Sequence, residues 1–287
     1  MRLIDLHTHS AASDGSDSPT ELVAAAHAAG LAAIALTDHD TLAGLEEAGA
    51  AGRRIGLPVI RGCELSTTAD KALRLHILGL WLPRDTGSLE ERLRELRVKR
   101  DSRNERIVGL LRACGLEVSM EEVREQAAGE SVGRPHIAAV LLARGYVKTL
   151  ADAFSEYLGR RGRAYVPKEV MRAGDAVRML ADLGASVCLA HPMLEKPAPE
   201  DLAELIPELI EQGLSAIEVW HSAHSDEDTR IALDLALRFG LCPSGGSDYH
   251  GANKPGLRLG VGYGNLRVGE DVLENLKRLR RERGLPV

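Results

Sequence analysis

The chain has 287 residues, 44% of them hydrophobic and 27% charged, which suits one large core or two smaller ones and excludes a disordered polymer. A formal charge of -6 argues against a protein that coats nucleic acid by net charge, and an aromatic content of 3% argues against a long base-stacking platform. The four cysteines, Cys63, Cys114, Cys188 and Cys242, lie far apart without a C-x-x-C pair, so a reducing compartment is expected and neither a disulfide framework nor a zinc finger is.

Residues Met1 to His7 put an acid and a histidine where a secretion signal needs an unbroken apolar run. No window approaches the roughly 20 apolar residues of a membrane span, so the chain reads as soluble and cytoplasmic. Short apolar runs then alternate with longer amphipathic segments, the pattern of an α/β fold in which helices join parallel strands. Strands are expected at Arg2 to Leu6, Leu31 to Leu36, Val59 to Cys63, Leu75 to Leu80, Ser186 to Leu189, Ala216 to Trp220 and Leu241 to Pro243. The first helix opens at Ser18-Pro19-Thr20-Glu21, which supplies an N-cap serine, a proline at the first helical position and a reciprocal glutamate, and it closes at Gly30. Further helices are expected over Thr41 to Gly56, Lys168 to Gly184, Pro199 to Gly213 and Ser225 to Gly240, each closed by a glycine.

One stretch departs from this alternation. From Ser88 to about Gly162 helical patterns follow one another without a strand, over Leu89 to Cys114, after the capping serine of Ser119-Met120-Glu121-Glu122, and near Pro135 to Arg144 and Leu150 to Leu158. These patterns divide the chain into an expected barrel of residues 1–87 and 163–287 and an inserted helical domain of residues 88–162. The Arg160-Arg161-Gly162-Arg163 run marks the return, as a solvated loop or a place that attracts phosphate.

The chemistry is read from the histidines. Six of the ten stand at or near the ends of expected strands beside acids: His7 and His9 with Asp14, His39 in Thr37-Asp38-His39-Asp40, His76 on the fourth strand with Glu64 following the third, His191 after an apolar run, and His250 two residues after Asp248. In a parallel barrel the C-terminal strand ends share one rim, so these residues converge there. His76, at the front of its strand, fits this less well. A lone histidine such as His27 is read as structural, but the same event recurring on strand after strand points to metal. Residues two apart on a strand share a face, which lets His7 and His9 reach one ion. Six imidazoles with Asp14, Glu64 and Asp248 are too many for one ion, implying two or three divalent metals, manganese, iron or zinc, with manganese preferred. Cys63, Cys188 and Cys242 are assigned to core packing. Clustered divalent metals without a redox motif point to a hydrolase, above all one acting on slow phosphate esters; amide or lactone hydrolysis is the alternative.

The motifs Asp5-Leu6-His7-Thr8-His9-Ser10 with Ser13-Asp14-Gly15, Thr37-Asp38-His39-Asp40, Gly62-Cys63-Glu64-Leu65-Ser66, His76-Ile77-Leu78-Gly79, Ala190-His191-Pro192 and Gly246-Ser247-Asp248-Tyr249-His250 resemble, in order, those of the PHP family, the polymerase and histidinol phosphatase group. The resemblance implies a distorted (β/α)7 barrel with an inserted helical cap domain and a trinuclear centre. By that analogy His7, His9, Glu64 and Asp248 hold one metal, Glu64, His76 and His191 a second, and Asp14, His39 and His250 a third, with Glu64 as the bridge.

The insert is similar to that of the branch containing nucleotide 3',5'-bisphosphate phosphatases and the 5'-to-3' exoribonuclease RNase AM. Gly133-Arg134-Pro135-His136 resembles its Arg-x-His element, which implies that Arg134 and His136 bind substrate phosphate. The branch's arginine after the histidine-proline pair is replaced by Met193, Leu194, Glu195 and Lys196, leaving Lys196 or Lys254 as substitutes. His224 resembles a loop histidine near the leaving group and is assigned with Asp248 to the catalytic set; His221 competes with it. Asp5, Asp38 and Asp40 resemble partners that orient imidazoles, or else form a turn.

The expected function is hydrolysis of a terminal phosphate on a small phosphorylated metabolite, a nucleotide of the 3',5'-bisphosphate type, by a hydroxide held between metals. A 5'-3' exoribonuclease acting on short 5'-phosphorylated RNA is the alternative within the same chemistry, and a non-catalytic metal-binding interaction module is the alternative outside it. No membrane and no obligatory protein partner are expected.

Overall fold

The computed structural model describes residues 2–70, 73–127 and 132–287. Strand β1 (Asp5–Thr8) leads to helix α1 (Pro19–Ala28), β2 (Ile34–Leu36), α2 (Leu45–Ile55), β3 (Val59–Thr68) and β4 (Arg74–Leu80). Next come α3 (Gly87–Ala113), α4 (Met120–Glu125), α5 (Arg134–Ala143), α6 (Leu150–Ala153) and a π-helical turn (Phe154–Leu158). The chain continues through β5 (Met171–Arg172), α7 (Ala173–Asp182), β6 (Ser186–Ala190), α8 (Pro199–Glu211), β7 (Leu214–His221), α9 (Asp226–Phe239), β8 (Cys242–Gly246) and α10 (Glu270–Glu282). Residues 1–90 with 171–287 form one compact unit and residues 91–170 a second.

In the first unit the strand order is β1-β2-β3-β4-β6-β7-β8, with β5 paired to β3. The sheet bends round until its ends meet: Asp248 N–H donates to the His7 carbonyl at 2.9 Å and His9 N–H to the Tyr249 carbonyl at 2.9 Å. Gly246 permits that approach, because a Cβ there would fall onto the Cβ of His7 and 2.5 Å from its backbone nitrogen. The sheet is therefore a nearly closed barrel. Its core packs Ile4, Leu6, Ala35, Leu78, Cys188 and Ala216 with Leu276 of α10.

The sheet is not wholly parallel, as the sequence reading supposed. Only five residues separate β3 from β4, too few for a crossover, so β4 runs antiparallel to both β3 and β6. This removes the difficulty with His76. Paired with Ala190, the last residue of β6, the front of the reversed strand lies at the rim where its neighbours end. β3 also runs on to Thr68 because its second half pairs with β4, so Glu64 lies inside the strand and not after it.

The helix ends follow their caps. Ser18 and Glu21 form the reciprocal box at α1 with Pro19 in the first turn, and Ser119 with Glu122 does the same at α4. The helix expected from Lys168 begins only at Ala173, because Met171 and Arg172 are drawn into extended pairing with Thr67 and Thr68. The C-terminal helix α10, with Glu270 and Asp271 in its first turn and Arg280 and Arg281 in its last, adds to the elements read from the sequence.

The second unit has its own core of Ile107, Leu111, Val123, Ile137, Leu141 and Leu158. Among the described residues no helix is long and apolar enough to cross a membrane.

Candidate metal centre

The rim of the barrel gathers residues from every part of the first unit. Glu64, fully buried, is the hub. Its Oε2 lies 3.1 Å from His7 Nε2, 3.2 Å from His9 Nε2 and 3.1 Å from His39 Nδ1. Its Oε1 lies 2.7 Å from His76 Nδ1 and 2.9 Å from His191 Nε2. One carboxylate thus faces five imidazoles, three on one oxygen and two on the other.

Asp248 divides its oxygens in a similar way. Oδ1 stands 3.2 Å from His9 Nε2 and 3.4 Å from His250 Nδ1, while Oδ2 stands 3.4 Å from His221 Nε2 and 2.5 Å from Lys254 Nζ. Asp14, the most exposed of the acids, reaches His250 Nε2 at 3.2 Å and His9 Nδ1 at 3.8 Å. All nine residues read from the sequence as ligands, His7, His9, Asp14, His39, Glu64, His76, His191, Asp248 and His250, are therefore neighbours in one cluster. Asp40, His191 and Asp248 carry φ of 51°, 23° and 58°, so the backbone is strained around the cluster.

Burial opposes charge on the Glu64 and Asp248 carboxyls, but the surrounding imidazoles outweigh it and hold both well below the usual carboxylate range. Burial likewise works against a charged His9 ring, but Asp248 and Glu64 hold it up at about 9. Burial wins at His39, whose ring is pushed down to about 3 despite Glu64 and Asp14. Buried anions at this density need cations among them.

The donor set fits divalent metal. Both ring nitrogens of His9 and Nδ1 of His39 are buried without a hydrogen-bond partner, although carboxylate oxygens stand close by. Ring nitrogens turned toward carboxylates across a shared space without bonding them suit an ion, which the rings would bind in their neutral form. Among the described residues, four groups have ligand atoms mutually close enough for one ion: His7, His9, Glu64 and Asp248; His9, Asp14, His39 and His250; His39, Glu64 and His76; and His7, Glu218 and His221. The imidazole and carboxylate donors suit manganese, iron or zinc.

Glu218 is a residue that the sequence reading missed. Each of its oxygens lies 3.2 Å from His7 Nδ1, and Oε2 also accepts the His191 backbone N–H at 2.8 Å. Burial raises its pKa, but His7 and His221 outweigh this and keep it at about 2. Its signal was available: an acid in the apolar run Ala216 to Trp220 has to be satisfied by something. The acids read as orienting imidazoles or forming a turn accept from neighbouring segments. Asp5 accepts backbone N–H groups of Ser247 and Gly260, each at 2.8 Å; Asp38 accepts from Ser10 and Ser13; Asp40 accepts from Ser66 N–H.

His224 and His221 stand side by side, their ring centroids 5.3 Å apart. His224 Nδ1–H donates to the Val219 carbonyl at 3.0 Å, leaving Nε2 as a bare buried acceptor, and burial lowers its pKa. His221 Nδ1 accepts the Ala223 N–H at 3.2 Å, which places a neutral ring's proton on Nε2, toward Asp248. Lys196 Nζ is 2.6 Å from Asp228 Oδ2. Arg134 and His136 belong to the second unit. There an Arg134 N–H donates to the Leu158 carbonyl at 2.9 Å, and His136 Nδ1 accepts the Gly133 N–H at 3.1 Å. Burial pushes the Cys63 thiol well above its ordinary range, in keeping with an inert core residue.

Residues 5–183 match the PHP domain family model. The chain is 33% identical over 261 residues to a 3',5'-nucleoside bisphosphate phosphatase of Chromobacterium violaceum, covering 91% of each chain. It is 32% identical over 246 residues to a 5'-3' exoribonuclease of Haemophilus influenzae, covering 86% of this chain and 89% of that one. A solved structure from Bifidobacterium adolescentis, provisionally described as a metal-dependent phosphoesterase, superposes with a TM-score of 0.83 at 31% identity over 96% of both chains. The chain belongs to the PHP domain family.

Proposed function

We propose that the protein is a metal-dependent phosphoesterase that removes a terminal phosphate from a small nucleotide of the 3',5'-bisphosphate type. The observation that carries this reading is Glu64, whose two oxygens face separate sets of imidazoles and so suit it to lie between two metal positions. The similar chain named 3',5'-nucleoside bisphosphate phosphatase supports the substrate. Bound divalent ions, manganese by preference, would supply an activated water near neutral pH and offset the charge that develops on phosphoryl oxygens.

The protein's own groups do the rest. His7, His9, Glu64 and Asp248 hold one position, Glu64, His76 and His191 a second, and Asp14, His39 and His250 a third. His224 or its neighbour His221 handles the proton of the leaving group. The His221 ring carries its proton on Nε2, whereas His224 offers an acceptor there. Arg134 and His136, carried by the helical insert, bind substrate phosphate. Lys254, whose ammonium lies 2.5 Å from Asp248 at the cluster, replaces the arginine absent after His191-Pro192, whereas Lys196 pairs with Asp228 away from the proposed ligands. The four cysteines are free thiols, which suits a cytoplasmic setting.

Trimming of 5'-phosphorylated RNA is the second reading, favoured by the exoribonuclease relative and by charge. Residues 91–170 hold 16 Lys and Arg against 12 Asp and Glu, a surplus in a chain of net charge -6. Product analysis with the manganese-loaded protein tests both readings, since a bisphosphate nucleoside gives up inorganic phosphate whereas exonucleolytic trimming frees mononucleotides. A 3',5'-bisphosphate nucleoside should be hydrolysed at least ~10-fold more efficiently than a short 5'-phosphorylated RNA, and EDTA should abolish both. Preference for the RNA would replace the first reading with the second, and silence on both with metal bound would reject the enzyme.

A further inference from the structure

We propose that Glu218 is a positioning residue which fixes ligands of two metal positions at once, one through a side chain and the other through the backbone. The inference rests on the cluster being a metal centre. β7 carries a bulge between Glu218 and Trp220, where the register with β8 passes from Ser244 to Gly245. The extra residue resets the alternation of faces, so Glu218 and His221 both point to the cluster although they are three apart. A carboxylate 1% exposed among apolar strand residues has no water to satisfy it.

Its bonds go to two places. Both oxygens take the Nδ1–H of His7 at 3.2 Å, which leaves the lone pair of that ring on Nε2, the atom directed at Glu64 and Asp248. Oε2 also takes the backbone N–H of His191 at 2.8 Å. His191 has φ of 23°, a conformation that residues other than glycine avoid, so this bond anchors a strained backbone whose ring faces the opposite oxygen of Glu64. His7 and His191 thus approach Glu64 from its two sides, and one carboxylate holds both.

A further metal between Glu218, His7 and His221 is the competing use of these residues. It is disfavoured because Ala223 N–H occupies His221 Nδ1 and so keeps the proton on Nε2, while His7 Nδ1 is spent on Glu218 itself. Two of the three donors already bond each other, and the third is oriented by its own backbone bond, which leaves little for a cation.

The test is calorimetric titration of the full-length metal-free protein with Mn(II), beside its thermal midpoint without metal. Glu218→Gln, which keeps the shape but removes the charge, should weaken more than one equivalent of Mn(II) by about 10–100-fold while the metal-free protein still unfolds cooperatively. Wild-type affinity for every equivalent, or weakening confined to a single one, would overturn the proposal. If Glu218→Gln does not fold, Glu218→Asp is titrated instead; it retains the charge but is one methylene too short to serve both partners, and the same outcomes decide. Wild-type protein that binds no Mn(II) would instead sink the metal-centre reading itself.

Discussion

Replacing Glu64 with glutamine is the most informative perturbation of the centre. The change keeps the volume of a fully buried side chain, removes one negative charge and turns one acceptor oxygen into a donor facing bare imidazole nitrogens. Glu64 lies 2.7 to 3.2 Å from five ring nitrogens, three on Oε2 and two on Oε1, so both sides of the cluster are affected. A hydrogen bond to a charged group is worth about 1.5–3 kcal/mol, a lower bound for a carboxylate on a divalent ion. At about 1.4 kcal/mol per tenfold, each of two metal positions should weaken at least ~10–100-fold, and phosphate release at limiting metal should fall by ~1000-fold or more. Without metal, the variant breaks a buried charge network and should lose about 3–5 kcal/mol of stability. The assays are metal content after gel filtration, phosphate release against metal concentration, and thermal unfolding of the metal-free protein. A Glu64→Gln protein that retains its full complement of metal and its activity would refute the bridging argument, whatever its stability.

Gly246→Ala should cost about 1–3 kcal/mol, because the added methyl meets the backbone of His7 where the barrel closes. Metal affinity should fall with thermal stability, and an unchanged melting temperature would show that the two strands separate freely. Asp228 has its pKa raised by burial but lowered more strongly by Lys196 and Ser225, from the ordinary 3.8 to about 2. Since the folded value is depressed, its stabilisation is present above about pH 4 and is lost as pH falls toward 2. The displacement is worth at most about 2.5 kcal/mol, and screening of Lys196, which is 66% exposed, reduces this to about 1 kcal/mol. Denaturant titrations of wild type and Asp228→Asn should differ by that amount at pH 7 and converge near pH 2; a gap that persists at pH 2 would contradict it. Lys254→Met should lower kcat/KM for a nucleoside bisphosphate by about 10–100-fold, while Lys196→Met should leave it within ~2-fold. The reverse ranking in steady-state kinetics would return the phosphate-reading role to Lys196.

The cluster was legible because its residues leave coarse marks in a sequence: imidazoles and acids placed at the ends of apolar runs. His7, His9, His39, His191 and His250 all follow that rule. His76 broke it, because strand direction depends on the length of the link before it, and the five residues between Thr68 and Arg74 turn β4 round. Glu218 was missed for another reason. A single acid in a strand is conspicuous only once its partners, a His7 ring 211 positions away and a His191 amide, are known to be adjacent. The bonds of Asp5 were equally hidden, since only the closed sheet brings the amides of Ser247 and Gly260 to its carboxylate. Caps such as Ser18 with Glu21 were readable because their physics is local.

The central claim is that Glu64 stands between metals. Anomalous diffraction at the manganese edge from crystals soaked in Mn(II) tests it most directly. The account predicts at least two peaks, one beside His7, His9 and Asp248 and another beside His76 and His191, with Glu64 reaching both. A single peak elsewhere on the protein, or none among these residues, would contradict it.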